Sequence, residues 1–87
     1  MSANGPINYG YFNYSQGNYI QRVDYDANGN AIYLGWATPG TLSSEPKWRI
    51  VQNTYDGSGR FIQSGFALSS PAFIHIWDNR ASITSYQ

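Results

Sequence analysis

This chain of 87 residues contains no cysteine, one methionine and one histidine, with only five basic and five acidic side chains. Without cysteine it forms no disulfide, offers no thiolate to a metal and has no thiol redox chemistry. A domain this short buries only roughly 60% of the surface its unfolded chain exposes. Dense aromatic packing, a metal or association with other chains must supply the rest of its stability. The charges cancel: Asp24, Asp26, Glu45, Asp56 and Asp78 stand against Arg22, Lys47, Arg49, Arg60 and Arg80. A net charge of zero exerts no long-range pull on nucleic acid or anionic lipid, and it suits a protein that sits beside copies of itself. No apolar run approaches the ~18 residues of a membrane span. The N-terminal stretch lacks the basic start and apolar centre of a secretory signal. No window carries the periodicity of an amphipathic helix.

Aromatic residues are present in quantity: three Trp, four Phe and eight Tyr. Residues 1–18 form an uncharged arm rich in Asn, Gly, Ser and Tyr, a composition that opposes helix. Tyr offers large contact area, a hydroxyl and few rotatable bonds. Tyr9, Tyr11, Phe12, Tyr14 and Tyr19 are therefore expected to dock the chain on a partner surface, the alternative being a frayed terminus.

Residues 19–87 read as one small β domain. Tyr19–Tyr25 alternates, Asn28-Gly29 marks a hairpin turn because both residues tolerate positive φ, and Ile32, Leu34 and Trp36 share a face of the returning strand. A Pro-Gly loop leads to a third strand, "KWRIVQNTY". "DGSG" then turns the chain into a fourth, "RFIQSGFAL", where Gly65 marks a bulge or the close approach of another backbone. Residues 69–80 suit a strand carrying Phe73, His75 and Trp77, or a short helix after Pro71; "ASITSYQ" is β-prone. Five or six short strands predict an all-β antiparallel sandwich or small barrel, with Trp36, Trp48, Phe61 and Trp77 as its core.

Reactive constellations are sparse. His75 alone falls short of the three or four ligands of a zinc site, and no serine stands in a Gly-x-Ser-x-Gly elbow. A minimal hydrolase built on His75 and Asp78 is the enzymatic alternative; no catalysis and no cofactor are expected. Asp24, Asp26 and Asn28 resemble part of a calcium loop but lack its closing Glu, and two Asx-type turns explain both Asp-rich stretches. Exposed Tyr and Trp with Asn and Asp donors and acceptors could also form a carbohydrate-binding face. Trp77, Asp78 and Arg80 are read as a structural clasp, with Arg80 pairing with Asp78 or stacking on Trp77.

Three stretches, "YLGWATPGT" (Tyr33 to Thr41), "WRI" (Trp48 to Ile50) and "IWDNRASITSY" (Ile76 to Tyr86), resemble a group of very small structural proteins of tailed bacteriophages. The terminal stretch is the most specific, and the arm lies outside the resemblance. The resemblance implies a non-enzymatic virion protein. The expectation is a capsid decoration or cement protein that binds the major capsid protein or other virion proteins, in a homo-oligomer and without nucleic acid or membrane. A tail, neck or fibre module that binds host surface carbohydrate is the alternative.

Overall fold

The computed structural model describes residues 18–87. Four strands run in chain order as an antiparallel meander: β1 (Ile20–Tyr25), β2 (Ala31–Ala37), β3 (Pro46–Tyr55) and β4 (Phe61–Phe66). A two-residue strand, β5 (His75–Ile76), pairs with the N-terminal part of β3, and a 3-10 helix follows at Trp77–Ser82. The expected antiparallel β character holds, but the sheet does not close into a barrel. "ASITSYQ" contributes a single bridge, Tyr86 to Ala67. Within residues 69–80 the expected strand is reduced to His75–Ile76, without Phe73 or Trp77, and the helix begins at Trp77 and not after Pro71.

Strand alternation puts apolar residues on both faces of the sheet. On one face Ala37, Trp48, Ile50 and Ala67 pack with Trp77, flanked by Ile20, Tyr33, Ile83 and Tyr86; on the other lie Leu34, Trp36 and Val51 with Val23, Phe66 and Phe73. A meander with two apolar faces must be covered twice. The helix and C-terminal residues cover the first face, and the loop carrying Phe73 lies on the second. Trp36, Trp48 and Trp77 are buried as expected, but Phe61 is 57% exposed. It stands at the irregular start of an edge strand, where Tyr55 meets it edge-on with ring centres 6.0 Å apart.

Both hairpin turns are built by an aspartate. The N–H groups of Asn28 and Asn30 donate to Asp26 Oδ1, each at 2.9 Å, and those of Ser58 and Arg60 donate to Asp56 Oδ1, each at 2.9 Å. The Asp26 and Asp56 N–H groups donate to Asn30 O and Arg60 O, and a glycine with φ of 84° or 83° completes each turn. Asn28 does not take positive φ, so the Asn-Gly pair works through its glycine and the preceding Asp, not as a two-residue turn. After each turn the register slips by one residue, at Ile32 in β2 and at Ile62 in β4.

These matched turns belong to a longer repetition. Ile20, Tyr25, Asp26, Gly29, Ile32, Gly35 and Ala37 recur thirty positions later as Ile50, Tyr55, Asp56, Gly59, Ile62, Gly65 and Ala67. The sheet is thus one hairpin unit used twice, with the end of the first (β2) paired to the start of the second (β3).

Candidate functional site

The C-terminal segment is held by contacts that begin at two glycines. A Cβ on Gly35 would stand 2.5 Å from Trp77 Cε3, so the bare backbone of β2 is the seat of the indole. A Cβ on Gly65 would stand 2.7 Å from Gln87 N and 2.8 Å from Tyr86 C and O. This is the close backbone approach expected of Gly65, and its repeat counterpart Gly35 serves a side chain in the same way.

Arg80 fastens the segment to β1. Its Nε donates to Asp24 Oδ2 at 3.0 Å, Nη1 donates to Trp77 O at 3.1 Å, and its guanidinium lies 4.5 Å from the centre of the Trp77 ring. The stacking on Trp77 is as expected; the carboxylate that Arg80 meets is Asp24, 56 positions away. Asp78 is exposed and ties in through its backbone, its N–H donating to Ser43 O at 3.1 Å. Tyr86 closes the clasp by donating its hydroxyl to Arg80 O at 2.8 Å.

Burial raises the Tyr86 phenol to a pKa of about 12, with a further push from Tyr33 and an opposing pull from Arg80. The protonated form is thus favoured in the folded state. Its contribution is fully present below the ordinary tyrosine pKa near 10 and is lost as pH rises from there to about 12. Stability measured by urea unfolding should decline across that alkaline window, and Tyr86→Phe should flatten the decline. The same variant should lose about 0.5–1.5 kcal/mol at neutral pH with its hydrogen bond. An unchanged alkaline slope would show that another group controls it.

His75 is buried, and its Nε2 has no hydrogen-bond partner. Among the described residues no hydrogen bond joins it to Asp78 or to a serine. No group of three or more acidic or histidine side chains is assembled there that could hold a metal. The calcium-like residues are used in other ways. Asp24 receives Arg80, while Asp26 accepts backbone N–H groups that pull its pKa below the usual carboxylate value. Asp56 is lowered by the same kind of bonds.

Among the described residues, polar and apolar groups are both left open to solvent. Between the two turns lies a polar cleft of about 460 Å³, lined by Asn28, Asn30, Gln52, Asn53 and Tyr55 among others. Apolar side chains are also exposed at separate places. Phe61 and Ile62 are each 57% exposed at the start of β4, and Leu42, Leu68 and Ile74 are exposed in loops. Tyr19, the one expected docking residue within the described range, is 40% exposed and stacks on Phe73 with ring centres 4.8 Å apart. Tyr9, Tyr11, Phe12 and Tyr14 lie outside the described residues.

The β4 edge is not legible as a surface in the sequence, where the alternation puts Phe61 in the core although it is 57% exposed. The available signal was the bulge that the repeat of Ile32 at Ile62 implies. No helix of the described residues is long and apolar enough to cross a membrane. No protein-family model, no curated protein and no solved structure matches this chain.

Proposed function

We propose that this chain is a non-enzymatic structural subunit of a tailed-phage virion, decorating or cementing the capsid through the major capsid protein. One observation carries the reading: a small domain of zero net charge leaves Phe61, Ile62, Leu68 and Ile74 more than half exposed. Contiguous exposed apolar area marks surfaces that other proteins cover, and Phe61 and Ile62 stand side by side in the chain at the start of β4. The C-terminal resemblance, Ile76 to Tyr86, supplies the class of particle. Many copies on a closed lattice make even a weak contact effective, and uncharged aromatic area drives it at about 25 cal/mol per Å² of apolar surface.

The test is reconstitution. Purified protein is mixed with capsids stripped of accessory proteins, and copy number and heat resistance of the particles are measured. Binding in many copies per capsid with a raised temperature of genome release is the expected result. A chain lacking residues 1–17 should fold but bind more weakly; equal binding would remove the arm from the docking role. Failure of the full chain to bind any capsid, with scarce copies at the tail and adhesion to host cells, would favour the second reading. In that reading the amide-lined cleft between the turns takes surface carbohydrate.

A further inference from the structure

We propose that the outer edge of β4 pairs with the outer edge of β1 from a second copy of this chain, head to tail. The inference is independent of the capsid reading and rests on the repeated hairpin. Inside the chain, the end strand of the first unit already pairs with the start strand of the second: Tyr33 faces Gln52, Leu34 faces Val51, Gly35 faces Ile50 and Trp36 faces Arg49. Thirty positions on, β4 is the counterpart of β2; thirty back, β1 is the counterpart of β3. Both lie at the outside of the strand order β1-β2-β3-β4. The internal junction therefore gives the register between copies. Gln63 would face Arg22 of the second copy, Ser64 would face its Gln21, and Gly65 would face its Ile20.

Backbone direction fits this register. Phe66 exchanges N–H and C=O bonds with Gln87 on the side away from β3, at 2.8 and 2.9 Å. Alternation then aims the N–H and C=O of Ser64 outward as well. On β3, Ile50 O accepts from Ala67 N across the hairpin. Its counterpart Ile20 thus faces β2, and Gln21 and Val23 present their backbone groups outward. Both outward edges are free of pairing with any other described strand.

Side chains agree. β4 carries no charge from Phe61 to Phe66 and is exposed over its first four residues, so it lacks the lysines and prolines that guard edge strands. Ser64 Oγ is bonded to Asn53 Oδ1 at 2.6 Å, and Gln21 Nε2 has no partner; rotation of that amide would let it donate to Ser64 Oγ across the new junction. Ser85–Gln87 covers the far end of the edge, pairing at Phe66–Leu68 and lying against Gly65, and leaves Phe61–Ser64 exposed. The accessible junction is therefore short and its association concentration-dependent. Because the two edges differ, the contact is heterologous and propagates until a ring closes or a filament grows.

The experiment is sedimentation velocity over a wide concentration range on the full chain, on Ser64→Pro and on Val23→Pro. Proline removes one outward N–H and is tolerated at such edge positions. Wild type should associate as concentration rises, and each variant alone should stay monomeric. An equimolar mixture should form dimers and nothing larger, since each variant keeps the one edge the other lacks. Should either proline disturb folding, hydrogen exchange on wild type decides: Ser64 and Val23 amides gain protection with concentration. A monomeric wild type, a variant that associates as wild type does, a mixture that stays monomeric, or unchanged exchange would each overturn the pairing.

Discussion

Trp48→Ala is expected to reduce stability by about 3–5 kcal/mol, the range for emptying a large aromatic site in a packed core. Trp48 has no exposed surface. Its ring lies 5.9 Å from that of Trp77, the Arg22 guanidinium is 5.8 Å from its centre, and Nε1 donates to Leu42 O at 3.0 Å. A domain of this size has a total stability on the order of 5–10 kcal/mol, so the variant should be largely unfolded on modest warming. Trp48→Phe keeps most of the apolar area and loses the indole donor. Because Leu42 is exposed, water can take over its carbonyl, and the expected loss is only about 1–2 kcal/mol. Thermal and urea unfolding followed by far-UV circular dichroism measure both. A loss under about 1 kcal/mol for the alanine variant would contradict the central place given to this ring.

The second large effect is a coupling. Gly35→Ala inserts a methyl at 2.5 and 2.7 Å from two Trp77 ring carbons and 3.2 Å from Trp48 Cε3. Trp77 is 5% exposed and covered by Arg80, so the ring has little room to retreat. Overpacking of this kind costs about 1–3 kcal/mol. Trp77→Ala alone should cost about 3–5 kcal/mol. Combined, the two should cost less than their sum by about 1–3 kcal/mol, since removing the indole removes the clash. Additive losses would mean that the indole does not sit on that glycine in solution. Gly65→Ala probes the repeat-related seat, where the obstacle is the backbone of Tyr86 and Gln87.

Local pattern carried the strands and not their company. Alternation and turn residues place all four long strands, and Asp26-to-Asn30 and Asp56-to-Arg60 are where turns were expected. Turn chemistry is less legible. Asn28-Gly29 has the residues of a two-residue turn with positive φ, yet the positive-φ pair that occurs is Leu68-Ser69, with φ of 50° and 61°, where no residue type announces it. There the Leu68 N–H donates to Ser85 O at 2.8 Å and the Ser69 N–H to Phe66 O at 3.0 Å, and a bond to a segment so far along the chain leaves no local mark. Phe61 differs from its expected place because an aromatic in a strand reads as core unless the bulge and the edge position are known. Arg80 shows the same limit: Asp78 is near in sequence, but only the folded sheet brings Asp24 to it. The repeat was present in the letters all along. Strand-by-strand reading hides it, because the matched residues are spaced singly and the intervening ones differ in polarity.

The dependence of the Gly35 seat on Trp77 has a bearing on how the chain comes to be folded. Both hairpins can form from local contacts, but the ring that covers them is made some forty residues after the groove it fills. A nascent chain therefore shows Trp48 and Ile50 bare until the segment from Trp77 to Tyr86, which packs on them, has emerged. Such late, long-range closure is slow and invites misassembly between neighbouring chains in the interval.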